Sequence, residues 1–160
     1  LLGRRGAGRV PFLVDFGCAR LFPGPLLAGA GGSLEFSSVG SAGRAERLPR
    51  DDLEALAWLM AHGLLGEMPW FGPLRRLYAL RESLAGARAD FTPLAERAAL
   101  EAAAAKERLL ERWAPLGLPG ELERFLLLAR GEPDHAALAA LLAPGPEPGP
   151  EPGAEPEGLL

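Results

Sequence analysis

The sequence predicts a mainly helical protein with one short strand close to its N-terminus. Two observations support this fold class. Helix start and stop signals recur between residues 49 and 143. In contrast, residues 10–16 (VPFLVDF) form a short apolar run rich in β-favouring residues. The 160 residues suit one domain with a single core, since domains commonly contain about 100–150 residues.

The first predicted helix begins near Asp51 and ends near Leu65, with Gly66 as its C-cap. Asp51 is a suitable helix cap, and Glu54 follows it at the spacing of a capping box. Between these limits almost no polar face remains, which predicts a central helix that is buried on most sides. The large side chains that we expect to serve only as core or turn packing are Trp58, Met60 and Trp70.

Four further helices are predicted, over residues 73–85, 92–113, 119–130 and 135–143. Asp134 is the predicted N-cap of the last one, and Pro144 stops it. The tail that follows is rich in Pro, Gly and Glu, so residues 144–160 are expected to form a disordered, semi-extended segment. Residues 22–33 are predicted to form a loop because they contain two Pro and four Gly.

Charge and cysteine content exclude several classes of function. The net charge is −4, and the four Glu of the tail account for all of it, so the remaining 17 basic and 17 acidic residues balance. We therefore expect no nucleic-acid or membrane partner, and mostly solvated basic side chains. The single cysteine, Cys18, fits a reducing compartment. No run of apolar residues is long enough for a membrane span, and we expect no signal peptide, because Leu1-Leu2 is followed by Gly3, Arg4 and Arg5 instead of an apolar h-region.

Few residues are suited to catalysis. The sequence contains no CxxC, HExxH, Walker or GxSxG motif, and we interpret His62, His135 and Cys18 as structural or exposed. The exception is Asp15, which follows the predicted strand and precedes Phe16 and Gly17. A carboxylate at this position is able to hold a divalent cation. A chance occurrence in a turn is the alternative interpretation of this tripeptide taken alone.

Four segments, in order, resemble the C-terminal lobe of serine/threonine protein kinases of the vaccinia-related and casein kinase I group. The resemblance covers about residues 1–143. The segments are Leu13-Val14-Asp15-Phe16-Gly17-Cys18-Ala19-Arg20; Gly32-Ser33-Leu34-Glu35-Phe36-Ser37-Ser38-Val39; Arg50-Asp51-Asp52-Leu53-Glu54-Ala55-Leu56 with Gly66-Glu67-Met68-Pro69-Trp70; and the late helices, with Ala105-Lys106-Glu107-Arg108-Leu109-Leu110, Pro119-Gly120-Glu121-Leu122 and Pro133-Asp134-His135-Ala136-Ala137-Leu138, in which His135 replaces the usual Tyr.

The resemblance implies a role for each matching residue. Asp15, with Phe16 and Gly17, would bind Mg²⁺ and ATP. Asp52 would be the aspartate of the buried F helix that anchors the backbone of the catalytic loop. The activation segment, which faces the substrate, would include Ser33, Glu35, Phe36, Ser37 and Ser38. Ser37 and Ser38 are equally interpreted as hydrogen-bonding residues of a structural loop.

The resemblance also implies that residues 1–143 are a partial kinase domain. Leu1-Leu2-Gly3 is similar to the stretch that follows the D-x-K-x-x-N catalytic loop, and the chain does not begin with Met. The catalytic base and the nucleotide-pairing Lys would then lie upstream, no catalytic residue would be present, and the chain alone would be inactive.

Three functions remain open. The parent protein is an ATP-dependent kinase acting on protein Ser or Thr, a pseudokinase scaffold that binds protein partners, or an unrelated helical adaptor. The short, featureless stretch of residues 18–32 favours the pseudokinase, and the intact Asp15-Phe16-Gly17 motif favours the active enzyme. The family implies a nuclear or cytoplasmic location.

Overall fold

The structure is a computed structural model in which residues 19, 33–42, 47–84 and 90–143 are described. These residues form five α-helices and no strand, which confirms the predicted mainly-α fold class. The predicted strand, the Asp15-Phe16-Gly17 motif and the tail lie outside the described residues. The helices are α1 (Pro49–Leu65), α2 (Phe71–Ser83), α3 (Thr92–Leu110), α4 (Gly120–Arg130) and α5 (His135–Leu142). None of them combines the length and the apolar character that a membrane span requires.

The helix ends follow the sequence signals to within a few residues. α1 begins at Pro49, two residues before Asp51, and ends at Leu65, followed by the C-cap Gly66, whose positive φ of 76° favours glycine. Asp134 caps α5 as predicted, since its carboxylate accepts hydrogen bonds from the backbone N–H groups of Ala136 (2.9 Å) and Ala137 (3.1 Å). α3 ends at Leu110, three residues earlier than predicted.

The main helix contact joins α1 to α4, while α2 packs on α3 and α5 packs on α4. On α1, Ala57 and Ala61 are completely buried, and their small side chains allow α4 to approach closely. On α4, Phe125 and Leu126 are buried in the same core cluster. Burying a side chain of this size contributes about 1.5–3 kcal/mol to stability.

The three tryptophans form one cluster at the centre of the core. The rings of Trp58 and Trp70 meet edge to face with centroids 5.5 Å apart, and Trp113 lies 6.3 Å from Trp58. Each buried indole N–H has an acceptor, as is usual for a tryptophan in a core. Trp113, for example, donates to the carbonyl of Pro119 at 3.1 Å. The prediction that Trp58 and Trp70 are packing residues is confirmed.

α1 is less buried than its sequence predicts. The side chains of Leu56, Leu59 and Leu64 are 39%, 49% and 59% exposed, and Met60 is partly buried. The prediction of a helix buried on most sides is therefore wrong for one face of α1. The nearly continuous apolar sequence reflects two faces, one packed in the core and the other uncovered.

We expect Leu126→Ala to lower the free energy of unfolding by about 2–5 kcal/mol, because it removes a fully buried side chain from the α1–α4 contact. The matched control is Leu127→Ala, since Leu127 is 56% exposed. This control is expected to change stability by less than about 0.5 kcal/mol. Urea unfolding followed by circular dichroism measures both, and equal losses would contradict this packing.

Candidate functional site

Residues 33–42 form a run of turns that lies against the N-terminal end of α1. We call it the 33–42 segment. It contains every described residue that the resemblance assigns to the activation segment. Asp15, Phe16 and Gly17, the predicted Mg²⁺ and nucleotide ligands, lie outside the described residues. The described part of the candidate site is therefore the predicted substrate-facing surface.

Asp51 joins the 33–42 segment to the start of α1. Its carboxylate is buried and accepts hydrogen bonds from the hydroxyl of Ser38 (2.6 Å) and from the backbone N–H of Leu48 (2.7 Å). Ser38 in turn accepts a hydrogen bond from the N–H of Ser41 at 3.0 Å. The predicted cap position is wrong, because Leu48 is the N-cap and Asp51 is the third residue of α1. The Asp51 carboxylate still takes part in capping, since it accepts a hydrogen bond from the backbone N–H of Leu48, and the same side chain also holds the segment in place.

Glu54, one turn further along α1, is a second attachment point. One oxygen, Oε1, accepts hydrogen bonds from the backbone N–H of Val39 (3.0 Å) and from the indole of Trp58 (3.1 Å). The same oxygen forms an ion pair with Nε of Arg130 at 3.1 Å. Arg130 also pairs with Glu107 at 3.1 Å. A single buried carboxylate thus connects the segment to α1 and to the end of α4.

Lys106 is the third attachment point, and its burial carries a free-energy cost because the charged ammonium group loses hydration. It is the only lysine of the chain, is 1% exposed, and donates a hydrogen bond to the carbonyl of Ser37. Its ammonium lies 5.8 Å from the ring centre of Trp58 and 5.1 Å from that of Trp70. Burial lowers the pKa of Lys106 to about 8, against the opposing attraction of Glu54.

Glu35 attaches the segment to α2. Its backbone carbonyl accepts a hydrogen bond from the indole of Trp70 at 2.7 Å, and its carboxylate accepts one from Tyr78 at 3.0 Å and another from Ser33. Partial burial and the hydrogen bond to Glu35 raise the pKa of Tyr78. Glu35 therefore fixes the first half of the segment.

Phe36 provides the apolar part of the same attachment. Its ring lies 5.7 Å from that of His62 and 5.8 Å from that of Phe71, and His62 and Phe71 are 4.9 Å apart. Nδ1 of His62 is buried and has no hydrogen-bond partner among the described residues. This contact agrees with a packing role for His62.

Asp52 lies next to Asp51 in sequence and on the other side of α1. Its side chain is exposed and begins a stripe that continues through Leu56, Leu59 and Gly63, all of them exposed. We call these four residues the α1 stripe. Partial burial and the neighbouring carboxylate of Asp51 raise the pKa of Asp52, and Arg47 opposes this effect.

A cavity of ≈350 Å³ opens beside the 33–42 segment. Its walls contain three acidic and two basic side chains, and they are formed by Val39, Gly40, Arg50, Asp51, Glu54, Glu107 and Arg130. The three carboxylates already accept hydrogen bonds or form ion pairs. No group of His, Cys, Asp and Glu suited to a metal ion occurs within the described ranges. The hydrogen bonds and ion pairs among these residues hold the 33–42 segment against α1 and α4.

Three charged residues that hold this surface together were not predicted from the sequence. Glu54 was not predicted to accept hydrogen bonds from the segment, and Lys106 and Arg130 were given no role in the site. The prediction of a solvated surface position is wrong for Lys106. Helical periodicity contained the signal, because Lys106 falls on the apolar stripe of α3 that also includes Ala98, Ala102 and Leu109. Nothing local in the sequence shows which acceptor such a lysine finds.

No protein-family model matches the chain, and no match was found among curated proteins or among solved structures.

The free energy of unfolding is expected to rise as the pH is raised from about 8 towards 10. Lys106 titrates near pH 8 in the folded chain and near 10.5 when unfolded, so the unfolded state binds more protons in this interval. The slope is at most about 1.4 kcal/mol per pH unit. Lys106→Met is the control, because it removes this titration and leaves the other titratable groups in place. Urea titrations at a series of pH values that gave parallel profiles for both proteins would contradict a buried ammonium.

The adjacent aspartates are expected to differ in their contribution to stability. Asp51→Ala leaves a buried hydroxyl and a backbone N–H without an acceptor, which costs about 1–3 kcal/mol. Asp52→Ala removes an exposed charge that is repelled by Asp51, so stability should change by less than about 0.5 kcal/mol. Thermal unfolding of the two variants measures this difference in stability. A larger loss of stability in Asp52→Ala than in Asp51→Ala would contradict the structural role given to Asp51.

Proposed function

We propose that this chain is the C-lobe part of an ATP-dependent protein serine/threonine kinase of the vaccinia-related and casein kinase I group. The complete domain would transfer the γ-phosphoryl group of Mg-ATP to a Ser or Thr hydroxyl, with Asp15 holding Mg²⁺ and Phe16 and Gly17 next to it. The chain alone would be inactive. In this proposal residues 1–143 belong to the kinase domain, with a short β element at residues 10–16.

The observation that carries the proposal is the attachment of the 33–42 segment. Asp51 and Glu54 of α1, Trp70 at the start of α2 and Lys106 of α3 all bind this one segment. Phosphoryl transfer depends mainly on positioning and electrostatics, so a surface that presents a protein substrate has to be held rigidly. A helical adaptor has no comparable need to fix a short turn region so firmly.

The α1 stripe is a second source of support. The resemblance assigns to Asp52 the role of anchoring the backbone of a catalytic loop, and Asp52 is exposed at the head of an uncovered apolar surface. A carboxylate with a raised pKa on a partly apolar surface is suited to accept backbone N–H bonds once that surface is covered. Such coverage would also remove Leu56 and Leu59 from water.

The pseudokinase scaffold is the alternative, because exposed leucines on several helices suit protein binding. They include Leu56 on α1, Leu100 on α3 and Leu127 on α4. In that case the protein would act through its partners without transferring phosphate.

The test uses the full product of the gene that encodes this chain, after the transcript upstream of Leu1 has been sequenced. We expect a D-x-K-x-x-N motif immediately upstream, and transfer of ³²P from γ-labelled ATP to casein or histone. Asp15→Asn should lower the rate by about 10²–10³-fold, since it removes an electrostatic contact to the metal in the transition state. Asp90→Asn, at an exposed position, is the matched control and should retain the rate.

Three outcomes separate the candidates. Transfer that requires Asp15 supports the kinase. A melting temperature that rises with Mg-ATP, without transfer, indicates a nucleotide-binding pseudokinase. If neither phosphate transfer nor stabilisation by Mg-ATP is observed, and the upstream sequence lacks the motif, the kinase proposal is wrong and the helical adaptor remains.

A further inference from the structure

A groove of ≈340 Å³ lies between the start of α2 and the second half of α3, away from the 33–42 segment's contact with α1. One wall is formed by Pro69 and Pro73, and the other by small side chains of α3, among them Ala102 and Ala105. Trp70 closes the groove at its base. Most of this surface is apolar, and it contains room for a few residues of an extended chain.

The groove has a basic rim. Arg108 lines it, is exposed, and has no carboxylate within ion-pair distance among the described residues. The acidic residue of the lining, Glu101, is already paired with Arg97 at 2.9 Å. Arg76 lies one helical turn beyond Pro73, on the same side of α2, and is also exposed. An occupant of this groove would therefore be apolar and extended, with acidic groups at its edges.

We propose that the groove binds this chain's own Pro- and Glu-rich tail, residues 144–158. That segment contains six Pro, four Gly and four Glu and no basic residue. Proline-rich sequences favour the polyproline II conformation, which docks in grooves lined by aromatic and proline side chains at a low cost in conformational entropy. The glutamates would then face Arg108 and Arg76.

The length of the tail permits this contact. α5 ends at Leu142, and the residues beyond Ala143 span up to roughly 50 Å at about 3.1 Å per residue in the polyproline II conformation. A domain of about 100 residues has a radius of gyration of only about 13 Å. The tail is thus able to reach either side of the domain, and its tether gives it a high effective concentration at the groove.

The contact would connect the tail to the 33–42 segment through Trp70. This residue lines the groove on one side and donates its indole N–H to Glu35 on the other. Occupation of the groove would therefore stabilise the same tryptophan that fixes the first half of the 33–42 segment.

The experiment uses the full chain with Cys18→Ser and Glu155→Cys, and a nitroxide spin label on the new cysteine. Paramagnetic broadening of backbone amide signals is recorded on ¹⁵N-labelled protein. We expect loss of at least half of the signal intensity at groove residues such as Trp70, Ala102 and Ala105, with little loss on α5. Ala104→Trp, which fills the groove from an exposed position, and Arg108→Glu, which reverses its charge, should each restore the signals.

Arg124→Glu is the matched control, because Arg124 is exposed on α4 and outside the groove, and it should leave the broadening unchanged. A second sample mixes spin-labelled chain at natural isotope abundance with ¹⁵N-labelled chain that has no spin label. Broadening in this mixture reports binding of the tail of one copy to the groove of another. Absent or evenly spread broadening overturns the proposal, as does broadening that persists in Ala104→Trp. Broadening that arises only in the mixture also overturns it, by assigning the groove to the tail of a second copy.

Discussion

The burial of one ammonium group determines how this helical domain is arranged. Lys106 reaches from α3 into the tryptophan cluster and binds a backbone carbonyl of the 33–42 segment. A charge in such a place loses most of its hydration, so it persists only because aromatic faces, a carbonyl and nearby carboxylates replace the lost water. Trp58 and Glu54 belong to α1, Trp70 precedes α2, and Ser37 and Glu35 belong to the segment. The requirement to solvate Lys106 therefore brings α1, α3 and the segment to one place.

Glu54 complements this arrangement from the opposite side. It is buried on α1 and accepts hydrogen bonds from the segment, from Trp58 and from Arg130. A buried ion pair of this kind is poor evidence for high stability, because desolvation offsets much of the Coulomb attraction. The contacts of Glu54 fix the position of the segment relative to α1 and α4, because one carboxylate oxygen accepts hydrogen bonds from all three.

The helices were predictable from local signals, but the attachment of the segment was not. Asp134 and Gly66 mark helix ends because capping depends on neighbouring residues and on a backbone conformation that glycine favours. In contrast, Lys106 and Ser37 are 69 positions apart, and no periodicity links them. The apolar sequence of α1 predicted burial on most sides, since hydropathy does not distinguish a face covered by the same domain from a face left open. The 33–42 residues were singled out through motifs, and their contacts followed only from tertiary structure.

The tryptophan cluster also gives the domain a built-in optical reporter. All three tryptophans of the chain lie in this single cluster, and their indole N–H groups bind three different acceptors, in Glu54, Glu35 and Pro119. The emission of the protein consequently comes from one region and not from an average over the fold. Because an ammonium group lies over two of the rings, the electric field on the chromophores depends on how that group is held. Ultraviolet fluorescence of the unmodified chain thus follows the polar contacts of its interior directly.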